Sequence, residues 1–126
     1  MNAPDVLDTG SEAWGSDPEV RVLVIDDSLT IRQALSRELQ KLGLTVTEAC
    51  DGMAGLDIAT GQRFDLIITD IALPGLDGLD LCRKLKSSAA TKSTPIIIVS
   101  SHDTEEDIEK CFEAGAAAFA SKLDGR

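Results

Sequence analysis

The sequence lacks paired cysteines, long apolar runs and clusters of basic residues. Its three cysteines, Cys50, Cys82 and Cys111, are far apart, with no CxxC pair and no nearby histidine to complete a zinc site. We expect them to be buried free thiols of a protein from a reducing compartment. No apolar run reaches the roughly eighteen residues of a membrane span, and acids occupy the N-terminus where a signal peptide has basic and then apolar residues. The sequence predicts a cytoplasmic protein without a membrane segment.

The charge balance is acidic, with 22 Asp and Glu against 12 Lys and Arg and a net charge of -10. Five of the acids stand in residues 1–19, which contain no Lys or Arg. Binding to phosphate backbones depends on basic contacts, so the composition argues against nucleic acid as a direct partner.

The 126 residues suit one compact domain preceded by a short tail. Residues 1–19 are rich in Gly, Pro, Ser and acids without a sustained apolar period, which predicts a flexible acidic N-terminal extension. Trp14 is either a mobile tail residue or a single anchor on the domain. Residues 20–126 form the predicted domain.

Within the domain, short β-branched runs alternate with helical patterns, which predicts an α/β fold with a parallel sheet and crossover helices. The predicted strands are 20–25, 44–49, 64–69, 95–100 and 116–120. The first predicted helix buries an apolar stripe from Ile31 to Leu42, places Arg32, Arg37, Glu38 and Lys41 outside and ends at Gly43. The others are predicted at 52–60, at 78–86 and from Asp103, as N-cap, to Gly115.

Only residues 121–126 follow the fifth predicted strand, which is too short for a closing fifth helix. Because a doubly wound sheet is normally covered on both faces, we expect part of one face to be bare. The domain is then shortened after its fifth strand, or the N-terminal extension covers the face. An uncovered apolar patch would favour self-association.

Polar residues of a kind that can bind phosphate and metal follow four of the predicted strands. Asp26 and Asp27 follow the first, Asp70 the third, Ser100 ends the fourth, and Lys122 follows the fifth. The carboxyl ends of parallel strands share one edge, so these side chains are predicted to meet in one crevice.

Converging carboxylates repel one another unless a cation neutralises them. Mg2+ suits Asp27 and Asp70 as direct ligands with Asp26 acting through water, whereas Ca2+ needs more protein ligands than are visible. A carboxylate such as Asp70 can then take up a phosphoryl group as a nucleophile, while Lys122 and Ser100 bind phosphoryl oxygens.

The chain from Val20 to Lys122 resembles the response-regulator receiver family, including its chemotaxis regulators, in the order of these residues and in the loop 69–78, which is similar to the family's Asp-x-x-x-Pro-x-x-x-Gly pattern. The resemblance implies a flavodoxin-like sheet of order 2-1-3-4-5. It also implies a histidine kinase or phosphotransfer protein as phosphoryl donor and a downstream output domain or protein as partner. The carbonyl of Ala72 is then a metal ligand, Ser100 and Phe119 are the switch pair, and the positions of Ala72 and His102 tune the phosphoryl lifetime.

Three residues depart from the family pattern. Leu123 follows the late lysine where proline is usual, Ser101 replaces a smaller residue, and apolar Ala72 leaves the lifetime to depend largely on His102.

Other interpretations exist for each residue taken alone. Asp27 or Ser28 can cap a helix, Asp70 can be a turn acid, and His102 can be an ordinary exposed side chain. A pseudo-receiver that signals through contacts alone is an alternative function. A haloacid-dehalogenase-type phosphatase is a weaker one, because Ala72 stands where that family has its acid/base aspartate. We expect a signalling module, not an enzyme that acts on a separate metabolite.

Overall fold

A computed structural model describes residues 19–122 as five strands that alternate with four helices. The strands are β1 (Arg21–Ile25), β2 (Thr45–Ala49), β3 (Leu66–Asp70), β4 (Ile96–Ser100) and β5 (Ala118–Ser121). The helices are α1 (Leu29–Lys41), α2 (Gly52–Gly61), α3 (Gly78–Lys86) and α4 (Glu105–Glu113). Trp14, the rest of residues 1–18 and Leu123 lie outside the described residues.

The strands form a single parallel sheet of order β2-β1-β3-β4-β5. This confirms the predicted fold class and the order 2-1-3-4-5. In residues 19–122, no helix has the length and apolar character that a bilayer crossing requires. The cytoplasmic location remains a prediction.

The sheet is packed on both faces, which explains the continuous apolar runs of its central strands. Alternate residues of a strand point to opposite faces. Val22 and Val24 pack with Leu35 and Leu39 of α1 on one face, whereas Leu23 belongs to a larger cluster on the other. That larger cluster contains residues of α2, α3 and α4, among them Ala59, Leu81, Leu85 and Cys111.

Two helix starts show which polar residue acts as the N-cap. The hydroxyl of Ser28 accepts a hydrogen bond from the Ile31 N–H at 3.3 Å, so Ser28 caps α1 and Asp27 does not. The prediction that Asp103 caps the fourth helix is wrong, because Thr104 accepts the hydrogen bond of the α4 first turn. The Asp103 carboxylate instead accepts a hydrogen bond from the Ser121 hydroxyl at 3.0 Å, across to β5.

The α1 face of β4 and β5 is open within the described residues. A groove of about 520 Å3 lies there, and its lining residues are Ile31, Ala34, Leu35, Glu38, Val99, Ala120, Ser121 and Lys122. The sequence predicts this bare part of one face. It is bare because the described residues contain four helices and no fifth helix covers β4 and β5 there. Cover by the N-terminal extension and self-association through the groove both stay predictions.

The cysteines differ in burial. Cys82 and Cys111 are buried free thiols, as predicted, but Cys50 is exposed, so the prediction is wrong for this residue. Cys50 directly follows β2, which is an edge strand of the sheet that the described residues form. Burial raises the pKa of the Cys82 and Cys111 thiols.

Candidate functional site

Three carboxylates meet where the strand order of the sheet reverses, between β1 and β3. Asp26 and Asp27 follow β1, and Asp70 is the last residue of β3. One oxygen from each carboxylate can be chosen so that all three atoms lie within 4.8 Å of one another. Asp26 and Asp70 are buried, whereas Asp27 is exposed. The predicted convergence of the acids at one edge is therefore confirmed.

The Lys122 ammonium bridges the two buried acids. Its Nζ lies 3.0 Å from Asp26 Oδ2 and 2.9 Å from Asp70 Oδ2. Burial by itself lowers the pKa of Lys122, but the hydrogen bonds and charges of Asp70 and Asp26 outweigh this effect and raise its pKa above the ordinary value. The ammonium is therefore held in its charged form.

Three carboxylates share a single ammonium at this site, so acidic groups outnumber the basic group that pairs with them. Among residues 19–122, the Asp27 carboxylate has no hydrogen bond or ion pair to a protein group. The atoms of this carboxylate cluster that can bind a metal are all oxygens, which are the ligands that hard divalent cations prefer. The donor set and the charge fit Mg2+.

Backbone groups orient both buried carboxylates. Asp26 Oδ1 accepts a hydrogen bond from the Ser28 N–H at 2.9 Å, and Asp70 Oδ1 accepts one from the Ala72 N–H at 3.3 Å. The loop after β3 folds back closely, since the Gly78 N–H donates to the Ile71 carbonyl at 2.8 Å. A Cβ on Gly78 would lie 2.1 Å from the Asp70 carbonyl oxygen, so only glycine fits there.

Ser100, Phe119 and His102 make no hydrogen bond to the Asp70 carboxylate, whose hydrogen bonds within residues 19–122 go to the Ala72 N–H and to Lys122. Ser100 is buried and follows Val99, the register partner of Asp70. Its hydroxyl accepts a hydrogen bond from the His102 N–H at 3.0 Å.

The switch and lifetime positions differ in burial. Phe119 pairs in register with Ile98 and is partly buried against the larger core cluster. Ala72 and His102 are exposed.

Sequence reasoning missed one residue that contacts the acidic pair. Arg32 is predicted on the outer face of α1, but its side chain is only 14% exposed, and its Nη1 donates to the Asp26 carbonyl at 2.8 Å. Its Nε donates to Glu48 Oε1 at 2.8 Å. The available signal is its place early in α1, shortly after the acids that follow β1.

These features define a class: a doubly wound α/β domain with an acidic crevice at the switch point of its parallel sheet. Residues 22–124 match the family model of the response regulator receiver domain. The chain belongs to this family.

Known proteins resemble this chain both in sequence and in structure. A gliding motility regulatory protein of Myxococcus xanthus is 40% identical over 103 residues, which are 82% of this chain and 13% of that protein. The chemotaxis protein CheY4 of Vibrio cholerae has a TM-score of 0.79 at 33% identity, with 82% of this chain and 87% of that one covered. The receiver domain of the sensor histidine kinase PA1611 from Pseudomonas aeruginosa, which has a magnesium ion coordinated in its active-site cleft, has a TM-score of 0.77 at 29% identity, with coverages of 82% and 85%.

Proposed function

We propose that this chain is the phospho-accepting receiver of a two-component or phosphorelay system. Asp70 takes a phosphoryl group from a histidine kinase or phosphotransfer protein, and the phosphorylated domain signals to an output domain or protein. The observation that supports this most is the cluster of three carboxylates, two of which pair with Lys122 while the third, Asp27, has no protein partner among residues 19–122. The chain spans only a small part of its Myxococcus relative. Signalling to an output domain or protein is therefore proposed and is not inferred from that relative.

Mg2+ is the proposed cofactor. Asp27 and Asp70 would bind it directly, Asp26 would bind it through water, and the Ala72 carbonyl would complete the protein ligands. When bound, the ion neutralises negative charge on the carboxylates and the phosphoryl oxygens. The magnesium in the cleft of the related Pseudomonas receiver supports this assignment.

In the proposed transfer, a carboxylate oxygen of Asp70 forms a bond to phosphorus while the bond from phosphorus to the donor nitrogen breaks. Lys122 already lies 2.9 Å from Asp70 Oδ2, so its ammonium is close enough to contact an oxygen of the arriving group. The Ser100 hydroxyl would bind a second oxygen. The chain's own contribution is therefore orientation and charge.

The proposed switch begins at Ser100. Its hydroxyl accepts the His102 N–H before phosphorylation, so movement toward the phosphoryl group would release the loop that carries His102. Phe119 would turn further inward behind it. Ala72 cannot position a hydrolytic water, so His102 is proposed to set the lifetime, and the His102→Ala variant should change the rate of dephosphorylation.

The direct test is incubation with acetyl phosphate and Mg2+, followed by mass spectrometry. We expect an acid-stable, base-labile adduct of one phosphoryl group that Asp70→Asn abolishes and Asp57→Asn, a control at an exposed position of α2, retains. Absence of the adduct would support the pseudo-receiver alternative. Release of phosphate over many turnovers would support the phosphatase.

A further inference from the structure

The side chain of Arg32 joins three parts of the molecule next to the acidic pair. It extends from the early part of α1, donates through Nη1 to the main-chain carbonyl of Asp26 and donates through Nε to Glu48 on β2, both at 2.8 Å. The Arg32 side chain is 14% exposed and that of Glu48 is 35% exposed. Only the Arg32 end of this ion pair is shielded from water, whereas Glu48 lies at an exposed position of β2.

Arg32 restrains the part of Asp26 that the rest of the site leaves free. The Asp26 N–H donates to the Ala49 carbonyl at 3.1 Å, and its two carboxylate oxygens accept from the Ser28 N–H and from Lys122. The remaining polar group of Asp26 is its carbonyl, which accepts the Arg32 hydrogen bond.

That carbonyl belongs to the peptide unit that connects Asp26 to Asp27. Because a peptide unit is planar, fixing the direction of its oxygen also fixes the direction in which the chain leaves toward Asp27. Asp27 needs such a restraint, since its own carboxylate has no protein partner among residues 19–122 and it is exposed.

The geometry suits arginine and not lysine. A guanidinium presents several N–H donors in a rigid plane and can therefore hold the Asp26 carbonyl and the Glu48 carboxylate at the same time. A lysine ammonium on a flexible stem has no such fixed arrangement of donors.

We propose that Arg32 is a positioning residue for the cation site: anchored by Glu48, it fixes the Asp26–Asp27 turn so that the Asp27 carboxylate faces that of Asp70. This rests on the proposed function, since the site it organises is the proposed Mg2+ site. Positioning and simple electrostatics predict opposite results when Arg32 is removed. Loss of a nearby positive charge by itself strengthens the binding of a cation, whereas loss of orientation weakens it.

The experiment is calorimetric titration of Mg2+ into the wild-type chain, Arg32→Gln, Arg32→Lys and the control Lys41→Gln. Lys41 is on the same helix and pairs with Glu38, but both side chains are more than two-thirds exposed at 68% and 69%. We expect the Kd for Mg2+ to rise about tenfold in Arg32→Gln, the scale of lost support for a metal ligand. Arg32→Lys should also bind more weakly although its charge is unchanged, and Lys41→Gln should match the wild type.

Unchanged or tighter Mg2+ binding by both Arg32 variants, beside a wild type that binds, overturns the inference and leaves the proposed function intact. Thermal unfolding of each variant shows whether it is folded at the titration temperature; a lower unfolding temperature with an unchanged Kd assigns Arg32 a purely structural role and also overturns the inference. If Arg32→Gln does not fold, the charge-conserving Arg32→Lys decides. Absence of Mg2+ binding by the wild type overturns the proposed cation site itself.

Discussion

Replacing Lys122 by methionine should make the site bind Mg2+ more tightly and should slow the transfer of a phosphoryl group to Asp70. The ammonium lies within 3.0 Å of one oxygen of Asp26 and one of Asp70, so it shares these carboxylates with any bound cation. Methionine keeps much of the length of the apolar stem and removes the charge. The same change removes a group that is proposed to bind the phosphoryl oxygens.

The size of the affinity change follows from Coulomb's law. A magnesium ion about 2.1 Å from Asp70 Oδ2, the oxygen that Lys122 contacts at 2.9 Å, lies at most about 5 Å from the Lys122 nitrogen. At that distance a doubly charged and a singly charged ion repel each other by about 1.7 kcal/mol at the dielectric constant of water. Loss of this repulsion should lower the Kd by somewhat more than tenfold, and the partly buried site makes this a lower limit.

Calorimetry with Mg2+ and the acetyl phosphate assay measure the two effects separately. Lys110→Met is the matched control, because Lys110 pairs with Glu106 on the exposed side of α4 and should change neither quantity. Unchanged or weaker Mg2+ binding by Lys122→Met would show that the ammonium does not compete for the carboxylates. An unchanged rate of phosphorylation by acetyl phosphate would contradict the proposed contact of Lys122 with the phosphoryl group.

Three further results are expected. A thiol reagent should modify Cys50 quickly in the folded protein and the two buried cysteines only on unfolding, as counted by mass spectrometry; modification of all three at one rate would contradict the burial. Leu81→Ala should lower the free energy of unfolding in urea by about 2–5 kcal/mol, because Leu81 is fully buried, whereas Leu42→Ala at 76% exposure should change it little. The folded-state pKa of Lys122 is raised, so its contribution to stability should be complete below its ordinary value of 10.5 and disappear as the pH rises through the folded value. When urea unfolding is measured from neutral to alkaline pH, the free energy of unfolding should fall less in Lys122→Met than in the wild type.

The local pattern of the chain was sufficient to predict the elements and the acidic edge of the sheet. Continuous apolar runs such as 22–25 identify strands that are covered on both faces. The pairing of β3, which ends at Asp70, with β1 is the one that the family resemblance implies. Parallel strands end at a common edge, so residues placed after them had to come together. The convergence of Asp26, Asp27 and Asp70 therefore followed from sequence order alone.

Contacts between distant elements could not be predicted in this way. Ser28 and Asp27 are equally suitable helix caps in sequence, and the turn after β1 decides between them. Asp103 loses the capping position to Thr104 and instead bonds to Ser121 across the sheet. Cys50 is exposed because β2 is an edge strand.

Arg32 shows most clearly the difference between what the sequence predicts and what the tertiary structure decides. Its helical position is typical of an exposed side chain, yet folding brings β2 and the turn after β1 close enough for one guanidinium to bond to both. The sequence by itself determined the alternation of strands and helices and the chemistry available where the strands end, because both depend on local periodicity and chain order. Only the tertiary structure decided which groups orient that chemistry, because hydrogen bonds depend on distances between residues that are far apart in the chain.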